Sequence, residues 1–162
     1  MPQDRPFALV ESGPHGVGIS AINRQAWMKG VRVGQALTDA RAILPELMTR
    51  PCEVARDVFI LERLALWLGR YGPSRNIEGD DGLWVDITGV AHLFGGEEGL
   101  ARDCVERLGA AGFMARLGIG DTRSGAYALA RYGCRRGKAV AIAPRGDMGT
   151  ALRELPVEAL QL

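Results

Sequence analysis

A chain of 162 residues with 47% hydrophobic and 24% charged positions has the make-up of a soluble globular protein of about one domain. Its net charge of +1 supplies no global field toward nucleic acid or a membrane surface, so any nucleic-acid contact must rest on local patches. No apolar run approaches the ~20 residues that span a bilayer, and Met1–Val10 lacks the apolar core of a signal peptide. Cys52, Cys104 and Cys134 are far apart with no Cys-x-x-Cys. They read as reduced thiols of a cytoplasmic protein, not as a disulfide frame or a zinc site.

In chain order, Pro6–Val10 and Val17–Ala21 flank Ser12-Gly13-Pro14-His15-Gly16 and predict a β-hairpin. A short helix fits Arg24–Met28, stopped by Gly30. A second fits Thr38–Leu44, with Thr38 as N-cap and Pro45 as stop. A longer amphipathic helix is predicted from Val54 to Trp67, its apolar stripe formed by Val58, Leu61, Leu64, Ala65 and Leu68. Pro73–Glu78 and Leu83–Thr88 read as two strands joined at Gly79-Asp80-Asp81-Gly82. A helix from Gly96 to Leu108 carries Glu97 and Glu98 in its first turn, favourable against the helix dipole. Ala115–Ile119 is a short strand, Thr122–Tyr132 a helix with Gly133 as C-cap, and Ala139–Ala143 a further strand. Ala151–Leu160 closes the chain. From residue 54 the order is α-β-β-α-β-α-β, most of a ferredoxin-like βαββαβ unit without its first strand. The fold class is therefore α+β.

The hairpin tip carries the most chemistry. Adjacent carboxylates at the mouth of a hairpin are where phosphoryl-transfer enzymes hold divalent cations. Asp80-Asp81-Gly82 also fits a plain turn, because Asp and Gly dominate hairpin turns. Asp86 reads as a hydrogen-bonding residue near the strand end. Gly118-x-Gly120 lacks the third glycine of a dinucleotide loop and reads as a tight strand-to-helix turn. Trp67 and Trp84 lie in apolar periodic segments and are expected in the core. Trp27, among Arg24, Lys29 and Arg32, is a candidate for base stacking as well as for packing. Arg131, Arg135, Arg136 and Lys138 cluster after a helix C-terminus. That position suits cations on dipole grounds alone, and also suits a DNA backbone. His92, before Leu93-Phe94, reads as a buried or capping histidine.

Several of these segments resemble one family. Leu83-Trp84-Val85-Asp86-Ile87-Thr88-Gly89 and His92-Leu93-Phe94-Gly95-Gly96-Glu97 are similar to the palm of ImuB-like Y-family DNA polymerase homologues, which carry a UmuC-type domain. Gly30–Gln35 and Ala40–Pro45 resemble Y-family fingers, Leu61–Trp67 a palm helix, and Leu155–Leu160 the exit toward a thumb. The resemblance covers essentially the whole chain. It implies a fingers subdomain at residues 1–52 and a palm at 53–162, in a piece lacking the first palm strand, the thumb and the little finger.

The same resemblance bears on activity. Active Y-family members bind two metals through one Asp of the first strand and an Asp-Glu pair on the hairpin. By that correspondence the pair falls on Asp81 and Gly82, leaving Asp81 as the retained ligand and Asp80 as a substitute only after a one-residue slip. A phosphate-binding Tyr and Arg correspond to Arg24 and Trp27, and a Lys to Arg123. No catalytic residue and no cofactor is therefore expected, and Mg2+ would be needed only if the chain belonged to an active lesion-bypass polymerase. The implied role is accessory, in damage-induced error-prone translesion synthesis within the SOS response. Its partners would be mutasome proteins, the sliding clamp and DNA. Where the central strand is missing, the facing sheet edges must either pair directly or stay open to self-association. A protein-interaction module without nucleic-acid contact is the remaining alternative.

Overall fold

The computed structural model describes residues 4–135 and 137–160. The chain divides into two compact units, with the break between Phe59 and Ile60.

In the N-terminal unit, β1 (Phe7–Gly13) pairs antiparallel with β2 (Gly16–Ile22), with a register shift between Leu9 and Val10. β3 (Met48–Pro51) adds in parallel on the other edge, giving the order β2-β1-β3. Sequence patterning missed β3. Met48-Thr49-Arg50-Pro51 has neither apolar alternation nor a clean β-composition, and pairing with β1 alone makes it a strand. Helix α1 (Arg24–Met28) falls where the sequence puts it. Its N-cap is Asn23, whose Oδ1 accepts from Ala26 N at 3.0 Å and Phe7 N at 3.1 Å, tying helix start to strand start. Helix α2 (Leu37–Ile43) begins earlier than expected. Thr38 lies inside its first turn, and Ala36 holds the cap position without a side-chain bond. Ala36 is bridged to Gly18, so the chain passes from an extended bridge directly into helix. Ala8, Ile19, Ala26, Val31, Ala40, Leu44 and Leu47 form the core of this unit.

Helix α3 (Val54–Leu68) leads into the C-terminal unit. There β4 (Arg75–Glu78) and β5 (Gly82–Val85) form an antiparallel hairpin. Both strands are shorter than expected. After Val85 the Asp86 carboxylate turns back to accept from Thr88 N at 2.9 Å, which takes the chain out of the ladder. A 3-10 turn (Ala91–Phe94) and helix α4 (Glu97–Ala110) follow, then β6 (Leu117–Ile119). Helix α5 (Arg123–Ala128) is capped by Thr122 Oγ1 on Gly125 N at 3.1 Å. It then widens into a π turn (Leu129–Gly133), where a single longer helix was expected. The wider turn carries Leu129 into a small core with Ala141, Ala143 and Met148. β7 (Val140–Ile142) pairs in parallel with β6. Helix α6 (Met148–Arg153) and a 3-10 turn (Val157–Leu160) end the described chain, with Pro156 between them.

The two ladders of this unit, β4-β5 and β6-β7, are separate. They nevertheless share one core: Leu83 and Val85 of β5 and Leu117 of β6 pack on Leu68, Tyr71, Leu100 and Cys104. Tyr71 is fully buried. Its hydroxyl donates to Asp103 Oδ2 at 2.7 Å, and Arg107 Nε holds the same carboxylate at 2.8 and 3.0 Å. At Gly118 the backbones of β6 and α5 meet so closely that a Cβ would lie 2.6 Å from Ala130 N and run into Ala126 O. Gly118-x-Gly120 is thus a packing device.

Candidate functional site at the hairpin tip

The register Ile77↔Leu83 and Glu78↔Gly82 leaves Gly79-Asp80-Asp81 as the connecting loop. A Cβ at position 82 would lie 2.6 Å from the Glu78 carbonyl oxygen, so a side chain there forces the hairpin backbone to shift. Alternation along β5 sends Leu83 and Val85 to the core and Trp84 to the other face. Trp84, expected in the core, is therefore only partly buried, and the Arg123 guanidinium sits 5.6 Å from its ring centroid.

Two arginines from the α5 segment meet the acids of the tip. Arg131 Nη1 donates to Asp81 Oδ2 at 2.7 Å. The Asp81 carboxylate in turn raises the Arg131 guanidinium above its ordinary pKa, first by that hydrogen bond and then by its charge. Arg123 Nη2 donates to Glu78 Oε2 while lying over Trp84. Glu78 is the participant that sequence reasoning missed. Its only signal was its place at the last rung of the hairpin, opposite Gly82. Asp80 is exposed and makes no ion pair among the described residues. The Thr88 hydrogen bonds hold Asp86 below the usual carboxylate range. Among the described residues, no group of three or more His, Cys, Asp or Glu side chains is placed to share a metal ion.

The other candidates lie apart from this cluster along the chain. In the N-terminal unit Arg24 is exposed at the first turn of α1. Trp27 is 56% exposed, with the Arg32 guanidinium 5.1 Å from its ring centroid, so one face is covered by a cation. In the C-terminal unit Arg135 and Lys138 exchange two backbone hydrogen bonds, at 3.1 and 2.8 Å, and both side chains are exposed. Arg136 lies outside the described residues. His92, expected to be buried or capping, is exposed on its 3-10 turn, so the buried alternative does not hold.

Residues 1–131 match the impB/mucB/samB family, IMS. The chain belongs to this family. Over 133 residues, this impB/mucB/samB chain is 45% identical to Protein ImuB of Caulobacter vibrioides (strain NA1000 / CB15N). The match takes in 82% of this chain and 28% of that protein, so the chain spans little more than a quarter of its curated relative. Among solved structures, the insertion ternary complex of Dbh DNA polymerase superposes with a TM-score of 0.79 at 16% identity, covering 96% of this chain and 46% of that one. DinB from Sulfolobus solfataricus gives 0.74 at 18% identity, covering 98% and 49%. The impB/mucB/samB chain thus has the α+β fold of Y-family polymerases. At these identities the likeness concerns fold alone and carries no catalytic residue across.

Proposed function

We propose that this chain is the fingers and palm of an ImuB-like accessory protein. It would serve DNA-damage repair and error-prone translesion synthesis, as part of the SOS response in the cytoplasm, without transferring nucleotides itself. In this reading residues 1–52 are fingers and 53–162 palm, which keeps α3 whole within the palm. The observation that carries it is the pairing of Asp81 with Arg131 at 2.7 Å. Two-metal nucleotidyl transfer needs carboxylates from different strands converging on two ions about 4 Å apart. Here the one retained candidate ligand is neutralised by a guanidinium, its neighbour is Gly82, and Glu78 is held by Arg123. A metal pair does not fit this donor set.

Contacts take the place of chemistry. Arg123 and Arg131 are engaged by carboxylates; of the other cations singled out in the sequence, Arg24, Arg135 and Lys138 are exposed and suit a DNA backbone. Mutasome proteins and the sliding clamp are the protein partners this role requires. The edges of β5 and β6 that face no strand in their ladders are where a second copy or a partner strand would add. Primer extension by the whole chain with Mg2+ or Mn2+ tests the proposal. No incorporation above the protein-free blank is expected, and template-dependent incorporation abolished by Asp81→Ala overturns it.

A further inference from the structure

The outer side of the C-terminal unit's main core is not closed. Helix α3 presents Ile60, Leu64 and Trp67 at i, i+4 and i+7, one stripe of a helix face. The end of α4 presents Leu108 and Phe113. Together they line an open groove of about 620 Å3. Its floor is rigid for identifiable reasons. Trp67 meets the buried Tyr71 ring edge-on, with centroids 5.6 Å apart and planes at 68°. Phe113 is set by the closure of α4, where Phe113 N donates to Leu108 O at 2.9 Å and Gly112 N to Gly109 O at 3.0 Å. That pair of bonds is a Schellman closure, which brings the residue after the cap back over the last turn. A groove held in this way needs little ordering when something docks.

The charge of the lining is one-sided. Apart from Arg63, Arg70 and Arg107, every residue lining the groove is apolar, and no acid is among them. Arg107 is shared with Asp103. The Arg70 guanidinium lies over the Trp67 ring, 5.0 Å from its centroid, and Arg70 is exposed. Arg63 is exposed and makes no hydrogen bond or ion pair among the described residues. No hydroxyl or amide side chain lines the groove that could read a base or a sugar.

We infer that this groove docks an acidic amphipathic helix of a partner protein. The helix lays its apolar stripe against Leu64, Trp67 and Phe113, and its flanking carboxylates meet Arg63 and Arg70. Neither the catalytic nor the accessory reading of the hairpin tip is needed for this inference. The pattern is that of an interface anchored by aromatic and arginine side chains.

The test uses the whole 15N-labelled chain and two synthetic helical peptides. Both carry leucines at i, i+3, i+4 and i+7, one flanked by glutamates and the other by lysines. The acidic peptide is expected to shift the Trp67 indole and Phe113 amide resonances and to bind at least about tenfold more tightly than the lysine peptide, ~1.4 kcal/mol. The double variant R63E/R70E, both positions exposed, is expected to reverse that preference, which a merely misfolded chain would not do. Four results overturn the proposal: no shift at Trp67 with millimolar acidic peptide, equal affinity for both peptides, displacement of the acidic peptide from Trp67 by a single-stranded oligonucleotide, or a sedimenting dimer that buries Trp67.

Discussion

The two units hold their strands by different means. In the N-terminal unit β1 has a neighbour on each edge, so its backbone groups are satisfied on both sides and its apolar residues sit over one continuous core. Among the described residues of the C-terminal unit no strand has two neighbours; one ladder pairs four residues and the other three. A two-stranded ladder alone is marginal in water. What holds these strands is burial of their inward side chains against α3 and α4, with Tyr71 at the centre. The charged tip therefore hangs from a hairpin whose stability is borrowed from helix packing, and the largest effects on it should come from the core beneath.

Tyr71→Ala is expected to be the most damaging change. It removes a fully buried ring that contacts Trp67 and Phe94, at centroid distances of 5.6 and 5.3 Å. Loss of such a ring costs about 3–5 kcal/mol, read as a lower midpoint in urea unfolding followed by the fluorescence of Trp67 and Trp84. If the C-terminal unit instead drew its stability from its ladders, the midpoint would barely move. Gly118→Ala comes next. The added Cβ would meet backbone at Ala126 and Ala130, which cannot swing aside as a side chain can. A cost of about 1–3 kcal/mol follows from overpacking, and Gly109→Ala, with open space around its Cβ position, is the control that should lose none.

Some of this was legible in the sequence and some was not, for physical reasons. Elements with strong local signals fell in place: α1 ends as written, α3 misses by one residue, and the hairpin tip is where Gly79 and Gly82 predict. Pairing over long sequence distance was not legible. β3 exists because of β1, some forty residues upstream, and the break of α5 into a π turn follows from where Leu129 must pack. At the site, Asp81 and the two arginines stood out as chemistry-bearing residues. That Arg131 meets Asp81 across fifty positions, and that Arg123 meets Glu78 instead, was not readable from either segment. Trp84 lies in an apolar segment, but strand alternation puts it on the face opposite Leu83 and Val85, which pack on the core.

Tyr71→Phe is a milder change that separates hydrogen bonding from packing. It removes the bond to Asp103 and should cost about 1–2 kcal/mol near neutral pH. Its pH dependence has a definite sign. Burial, then the Asp103 hydrogen bond, raise the Tyr71 phenol well above its usual value of 10.0. Burial likewise pushes the Cys104 thiol from 9.0 up to about 11. Both groups are neutral in the folded state where the unfolded chain would ionise them. Their contribution is therefore complete below pH 9 and is lost as pH rises through the raised values. The melting temperature should fall from pH 9 upward, and in Tyr71→Phe the additional fall that begins at pH 10 should vanish. At the acid end Asp103 runs the other way. Its carboxyl is held below 3.8 by Tyr71 and then Arg107, so its contribution is present above that value and is lost as pH falls through the lowered one.

The smallest stability effect is expected where the functional question is sharpest. Arg131 and Asp81 are 43% and 58% exposed, and exposed ion pairs contribute about 0–1 kcal/mol. Arg131→Ala should therefore leave the melting curve within that range while freeing the Asp81 carboxylate. If Arg131 alone prevented metal binding, the variant would take up Mn2+ at the tip, seen as paramagnetic broadening of the Asp80 to Leu83 amides at micromolar ion. The expected result is no such broadening, because one freed carboxylate beside Asp80 does not provide converging ligands from a second strand. Adding Gly82→Glu should not rescue binding either. The new side chain meets the Glu78 carbonyl at 2.6 Å, so the hairpin must shift before that carboxylate could join Asp81. Tight Mn2+ binding by the double variant would show that two side chains suffice for a metal at this tip; its absence would show that the hairpin backbone also stands in the way.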